Sequence, residues 1–204
     1  ATLTYYISDK DSINKEIKLK SRGLTRKEIC SFPPIKLNFN NSDSDNKDSK
    51  KFNNVKMVTH CNAGREDYLL KEYLIYRLYN ILTDYSFKVR LLKIKYIDTH
   101  KAGKTINTYA FLIEPLKFLS ERTNSVEIES RNLSLSNIVP EMMDRMAIFN
   151  YMIGNTDWSV ANQHNCEILF QPKSERPDLG LIIPYDFDYS GLINADYAIP
   201  HESL

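Results

Sequence analysis

The chain has 204 residues, 42% of them hydrophobic, and a formal net charge of +1 from 27 basic and 26 acidic side chains. That balance excludes the broad electrostatic pull of a nucleic-acid-binding or membrane-surface protein. No apolar run approaches the roughly 18 residues that span a bilayer, and no secretory leader is visible in the sequence.

In chain order, residues 2–7 and 15–20 read as two strands joined by a polar turn at 8–12. Residues 24–30 read as a short helix, stopped by Pro33-Pro34, and residues 35–39 alternate like a strand. The stretch 40–51 is rich in Asn, Asp, Ser and Lys and reads as a mobile loop. Residues 55–58 form another short strand. The clearest helix is 67–82, where Leu69, Leu70, Tyr73, Leu74, Tyr76, Leu78 and Ile81 recur at helical spacing.

Residues 89–98 and 105–114 read as an antiparallel pair, closed by Glu114-Pro115. A short helix at 116–121 and a polar connection follow. A second long helix is expected at 140–153, with Pro140 in its first turn and Glu141 at its amino end. Residues 166–170 and 179–183 are two short strands. The expected architecture is α+β and two-lobed. Residues 1–114 would form an antiparallel sheet with one long helix, and residues 115–204 a mainly helical lobe carrying a small hairpin.

The three cysteines, Cys30, Cys61 and Cys166, fit no zinc spacing. Two readings stay open. Cys30 and Cys61 pair in an oxidising compartment and leave Cys166 free, or all three are buried thiols. The first reading favours a secreted or extracytoplasmic protein.

The stretch with chemistry in it comes last. Gly154-Asn155-Thr156-Asp157 is followed by Asn162, and Pro184-Tyr185-Asp186-Phe187-Asp188 follows the two short strands. Phosphoryl transfer needs an oriented hydroxyl, oxygen ligands for a divalent ion and neutralised phosphates. Asp157, in a loop opened by Gly154, is placed to orient the hydroxyl. Asn162 offers a neutral oxygen, and Asp186 an anionic one that Asp188 shares or supports. Asp186 and Asp188 are two apart, so on a strand they face one side and Phe187 the other. On the nucleotide side, Lys56 on a strand would pair with Glu72 on the following helix.

Each residue also has an ordinary explanation. Asp157 would serve as a loop or capping residue, and Lys56 with Glu72 as a surface ion pair. His164 reads as a hydrogen-bonding loop residue ahead of a metal ligand, and Trp158 as packing beneath the loop. Weight lies in the order of elements: strand with Lys, helix with Glu, strand pair, long helix, Asp, Asn, hairpin, Asp.

These runs resemble the catalytic and metal loops of atypical protein-kinase-like families, nearest to CotH spore-coat kinases and HipA-type toxin kinases. The resemblance covers roughly residues 55–191. It implies a two-lobed kinase-like fold and ATP with Mg²⁺ or Mn²⁺. It implies Asp157 as the catalytic residue, Asn162 and Asp186 as metal ligands, and Lys56 with Glu72 as the nucleotide-side pair. The acceptor would be a protein Ser or Thr. No Gly-x-Gly-x-x-Gly is present, and Asn155-Thr156 stands where many kinases carry His-Arg. The partners expected are therefore a nucleotide and a protein substrate, with no nucleic acid and no membrane span. The alternatives are a catalytically weak nucleotide-binding module of the same fold, and a metal-dependent hydrolase built on clustered carboxylates.

Overall fold

Strand propensity and period-2 alternation dominate this chain: 34% of the described residues are strand and 25% helix. The computed structural model describes residues 1–6, 8, 10–23, 25–39, 54–99, 103–127 and 133–199. The loop expected at 40–51 lies outside them. The chain divides into two units, Ala1–Glu66 with Leu91–Ile113, and Asp67–Arg90 with Glu114–Leu204.

The first unit is built on antiparallel pairing. Its strands are β1 (Thr2–Tyr6), β2 (Ser12–Ser21), β3 (Ile35–Phe39), β4 (Asn54–Thr59), β5 (Val89–Ile97, whose first two residues fall in the second unit) and β6 (Thr105–Ile113). They form one six-stranded sheet in the order β1-β2-β3-β4-β6-β5. Alternation puts Ile17, Leu37, Val55, Met57 and Ala110 into a buried cluster, with Ile35, Phe39, Leu92, Ile94 and Tyr96 packed against it. Between β2 and β3 lies the five-residue helix α1 (Thr25–Ile29). Cys30, just after α1, is joined to Cys61, just after β4, by a disulfide. The pairing reading of the cysteines is thus the one observed.

The second unit begins with α2 (Glu66–Leu82), whose buried Tyr68, Leu69, Glu72, Ile75, Tyr76 and Tyr79 recur at helical spacing. Glu66 itself falls in the first unit. Helix α3 (Leu116–Arg122) leads into the two-residue strand β7 (Val126–Glu127). Helix α4 (Pro140–Met152) buries Met142, Met146, Phe149 and Asn150. Strands β8 (Cys166–Phe170) and β9 (Gly180–Pro184) complete a three-stranded antiparallel sheet in the order β7-β8-β9. Every residue of β9 is buried. Ile138, Met142, Met146, Ile168 and Ile182 share one core cluster, on which Trp158 packs as a partly buried neighbour.

This corrects the expected fold class. A protein-kinase-like two-lobed architecture with a mainly helical C-terminal lobe is not what the chain forms. The reason lies after Met152. Gly154, Gln163, Asn165, Asp186 and Asn194 all take positive φ, which breaks any helix there into turns. The apolar runs at β8 and β9 are five residues each, long enough for strands and too short for helices. Among the described residues, no helix is long and apolar enough to cross a membrane.

Candidate functional site

Helix α4 ends in a defined motif. The Gly154 N–H donates to Tyr151 O at 3.1 Å, and the Asn155 N–H donates to Asn150 O at 2.8 Å. With Gly154 at φ +64°, this is a Schellman cap. The cap fixes the direction in which the chain leaves the helix. Asn155, only 4% exposed, donates its side-chain amide to Asn150 Oδ1 at 2.9 Å. Its own Oδ1 accepts the Asp157 N–H at 3.2 Å, closing an Asx turn. Asp157 is therefore set by a buried amide chain rooted in α4.

The chain then turns back on itself. Ser159 and His164 exchange backbone hydrogen bonds of 3.0 and 2.9 Å, and Gln163 N–H donates to Val160 O at 3.1 Å. Asn162 sits exposed in this turn, its N–H on Ser159 Oγ at 3.3 Å. The hairpin returns His164 and Asn165 to Asp157. His164 Nε2 lies 2.9 Å from Asp157 Oδ1. Asn165 Nδ2 donates to Asp157 O at 2.7 Å and to Asp157 Oδ2 at 2.9 Å. The Asp157 side chain keeps 36% of its surface exposed and that of His164 keeps 55%.

Asn165 also joins the second acidic segment. Its main-chain oxygen accepts the Tyr185 N–H at 3.0 Å, extending the β8–β9 ladder by one step. Asp186 follows at once. Its backbone stands at φ +61°, outside the comfortable region for a side-chain-bearing residue. Two things hold it there. Its N–H donates to the Tyr76 hydroxyl at 2.9 Å. Phe187, 0% exposed, packs edge-on to Tyr76 and Phe149 with ring centroids 4.9 and 6.0 Å away. The half-buried Asp186 carboxylate makes no hydrogen bond or ion pair among the described residues. Farther on, Gly191 N–H donates to Gly154 O at 2.9 Å and Leu192 N–H to Ile153 O at 3.0 Å, a second staple between the segments.

The structure thus brings Asp157 and the Asp186 strand end together through Asn165. Asn162, chosen by its spacing from Asp157, lies at the hairpin turn. Asn165 is the amide in contact with Asp157, and sequence spacing alone passed over it. The signal that finds it is positional, since Asn165 immediately precedes a strand and returns from a tight turn. Asp188 is 5% exposed and is not free of interactions. Lys56 is exposed on β4 of the first unit, and Glu72 is fully buried on α2 of the second.

Among the described residues, no group of three or more His, Cys, Asp and Glu side chains is arranged to hold a metal ion. The donors at this site are hard oxygens. Mg²⁺ and Mn²⁺ accept one or two carboxylates from a protein and take further oxygens from substrate phosphates and water. The open Asp186 carboxylate and the Asn165 amide oxygen, which accepts no hydrogen bond among the described residues, are donors of that chemical kind. They do not form a cage alone. No protein-family model matches the chain, and no curated protein matches it either.

Proposed function

We propose that the second unit carries the reactive centre of a phosphotransferase that moves a phosphoryl group from ATP to a hydroxyl, with protein Ser or Thr as the acceptor. One observation carries the reading. A partly exposed carboxylate (Asp157) and a carboxylate on strained backbone with no hydrogen bond or ion pair among the described residues (Asp186) are held on neighbouring segments by one buried amide, Asn165. Strain and an unpaired half-buried charge cost stability, and they persist where function requires them.

In this reading Asp157 Oδ2 is fixed by Asn165 and Oδ1 faces His164. The carboxylate accepts the hydrogen bond of the attacking hydroxyl and orients its oxygen toward the phosphorus. Exposed His164 is the route by which the proton leaves. Asp186, with the Asn165 amide oxygen, would hold a divalent ion shared with the nucleotide. The chemistry such an ion would supply is neutralisation of charge on the phosphates. Asn150 and Asn155 keep Asp157 in place without touching substrate.

A hydrolase is the second reading, favoured by the His164–Asp157 contact, with water in place of the acceptor hydroxyl. The Cys30–Cys61 disulfide supports an extracytoplasmic setting for either activity.

The test is transfer of labelled γ-phosphate to protein in the presence of Mn²⁺. Wild type should label, and Asp157→Asn and Asp186→Asn should lose at least about a hundredfold of the rate with their folds intact. Free phosphate without labelled protein selects the hydrolase. Equal labelling by wild type and both variants overturns the assignment.

A further inference from the structure

The two edges of the first unit's sheet are built differently. Its order, β1-β2-β3-β4-β6-β5, makes β1 and β5 the outer strands. Natural edge strands are blunted by charges, above all lysine, or by proline, which keep other chains from pairing with them. β5 carries Lys93 and Lys95, both exposed. β1 has no charged side chain and no proline, and its Tyr6 is 70% exposed.

Register decides which main-chain groups of β1 point outward. Ala1 and Ile17 exchange both hydrogen bonds, at 2.8 and 2.9 Å. Bonding toward a given neighbour alternates along an antiparallel strand. Leu3 and Tyr5, opposite Lys15 and Ile13, therefore bond to β2, and Thr2, Thr4 and Tyr6 turn their N–H and C=O groups away from it.

This outward row is complementary to itself. About a two-fold axis at Thr4, Thr4 faces Thr4 of a second copy and Thr2 faces Tyr6, each pair exchanging both main-chain bonds. Leu3 then lies beside Tyr5 of the second copy, on the face that buries Ile17. Aliphatic and aromatic neighbours of this kind stabilise a sheet. Charges match at the ends. The connection between β1 and β2 is net acidic in sequence, Asp9 and Asp11 against Lys10, and β2 is net basic, Lys15, Lys18 and Lys20 against Glu16. The axis sets the acidic connection of one copy level with Lys18 of the other.

We propose that β1 is a self-association edge, at which two copies of this chain join β1 to β1, antiparallel, into one continuous sheet. A strand of five residues covers less than the roughly 1,200 Å² of a standard interface, so the dimer is a weak one. The proposal rests on the first unit alone and is independent of the roles given to Asp157 and Asp186.

The experiment is sedimentation equilibrium of the full chain from about 1 μM to about 1 mM. A monomer–dimer equilibrium is expected, with no larger species, because the lysines of β5 guard the other edge. Thr4→Lys sets like charges face to face and should weaken dimerisation about tenfold or more. Its urea midpoint should stay near wild type, since exposed Thr4 gives up only its bond to Asn14 Oδ1. Thr4→Cys reads the register directly and decides the question if Thr4→Lys fails to fold. Facing Cα atoms of such a pair stand about 5.5 Å apart, within reach of a disulfide. Mild oxidation should link Thr4→Cys into a covalent dimer faster than Thr2→Cys, which lies two positions from the axis. A monomer at every concentration, a folded Thr4→Lys that dimerises like wild type, faster linking of Thr2→Cys, or a chain that pairs with an added extended peptide in preference to itself would each overturn the proposal.

Discussion

Asn165 donates its side-chain amide to both the main-chain oxygen and the Oδ2 of Asp157, at 2.7 and 2.9 Å, while its own main-chain oxygen takes the Tyr185 N–H. One residue thus anchors two acidic segments. At 8% exposure, its loss strands polar groups away from water. Asn165→Ala should cost about 2 kcal/mol in urea unfolding, and Asn162→Ala less than about 0.5 kcal/mol. Equal costs would mean that the amide bonds to Asp157 contribute nothing.

Two glycines set the geometry around that anchor. Gly154 holds φ +64°, and a Cβ there would lie 3.4 Å from Gly191 Cα. Gly154→Ala should cost about 1–2 kcal/mol, since the strain and the close approach add. A Cβ on Gly180 would meet Ile168 Cγ2 at 2.5 Å. Gly180→Ala should cost about 1–3 kcal/mol by overpacking. Thermal unfolding reads both, and an unchanged midpoint in either contradicts the packing described.

The Cys30–Cys61 disulfide closes a loop with a sequence separation of 31. Restricting the unfolded chain by a loop of that size is worth about 3–4 kcal/mol in the entropic account. Denaturant unfolding with and without a reductant should differ by about that amount. A difference near zero would show that strain or residual structure offsets the constraint.

His60 ties stability to pH. It is 4% exposed and stacked on Phe32, with ring centroids 4.9 Å apart. Burial lowers its pKa from the ordinary 6.5, and the charge of Glu66 opposes that shift. Below pH 6.5 the unfolded chain takes a proton that the folded protein resists. The contribution is therefore fully present above pH 6.5 and is lost as pH falls through the lowered folded value. His60→Phe should flatten this part of the stability profile. A wild-type curve with no slope between pH 5 and 6.5 would show that the imidazole charges freely in the fold.

Cys166 should be chemically silent. Burial pushes its thiol up to about 12, with the Glu167 charge adding to the effect. The thiolate is the reactive form. Iodoacetamide at pH 8 should leave the native chain unlabelled at this position and modify it in urea. Rapid labelling of the folded protein would place the thiol at the surface.

Much of this arrangement is legible before folding. Period-3.6 and period-2 patterns locate α2, α4, β3, β6 and β8 to within a residue or two, because each is a local property of its own segment. The helical character assigned to residues 115–204 fails because strand pairing is not local. Val126 and Glu127 become a strand only by meeting Phe170 and Leu169. The amide that meets Asp157 is hidden for the same reason. Counting five residues on from Asp157 selects Asn162, but the Ser159–His164 turn brings Asn165 back instead.

The covalent bridge after β4 has a consequence for handling the protein. A peptide bond cleaved anywhere between Cys30 and Cys61 yields two polypeptides that stay joined as one molecule. Such a nicked sample keeps its mass apart from one added water, migrates as a single band on a non-reducing gel and divides only when thiols are supplied. Purity judged without reductant would therefore count clipped and intact protein alike.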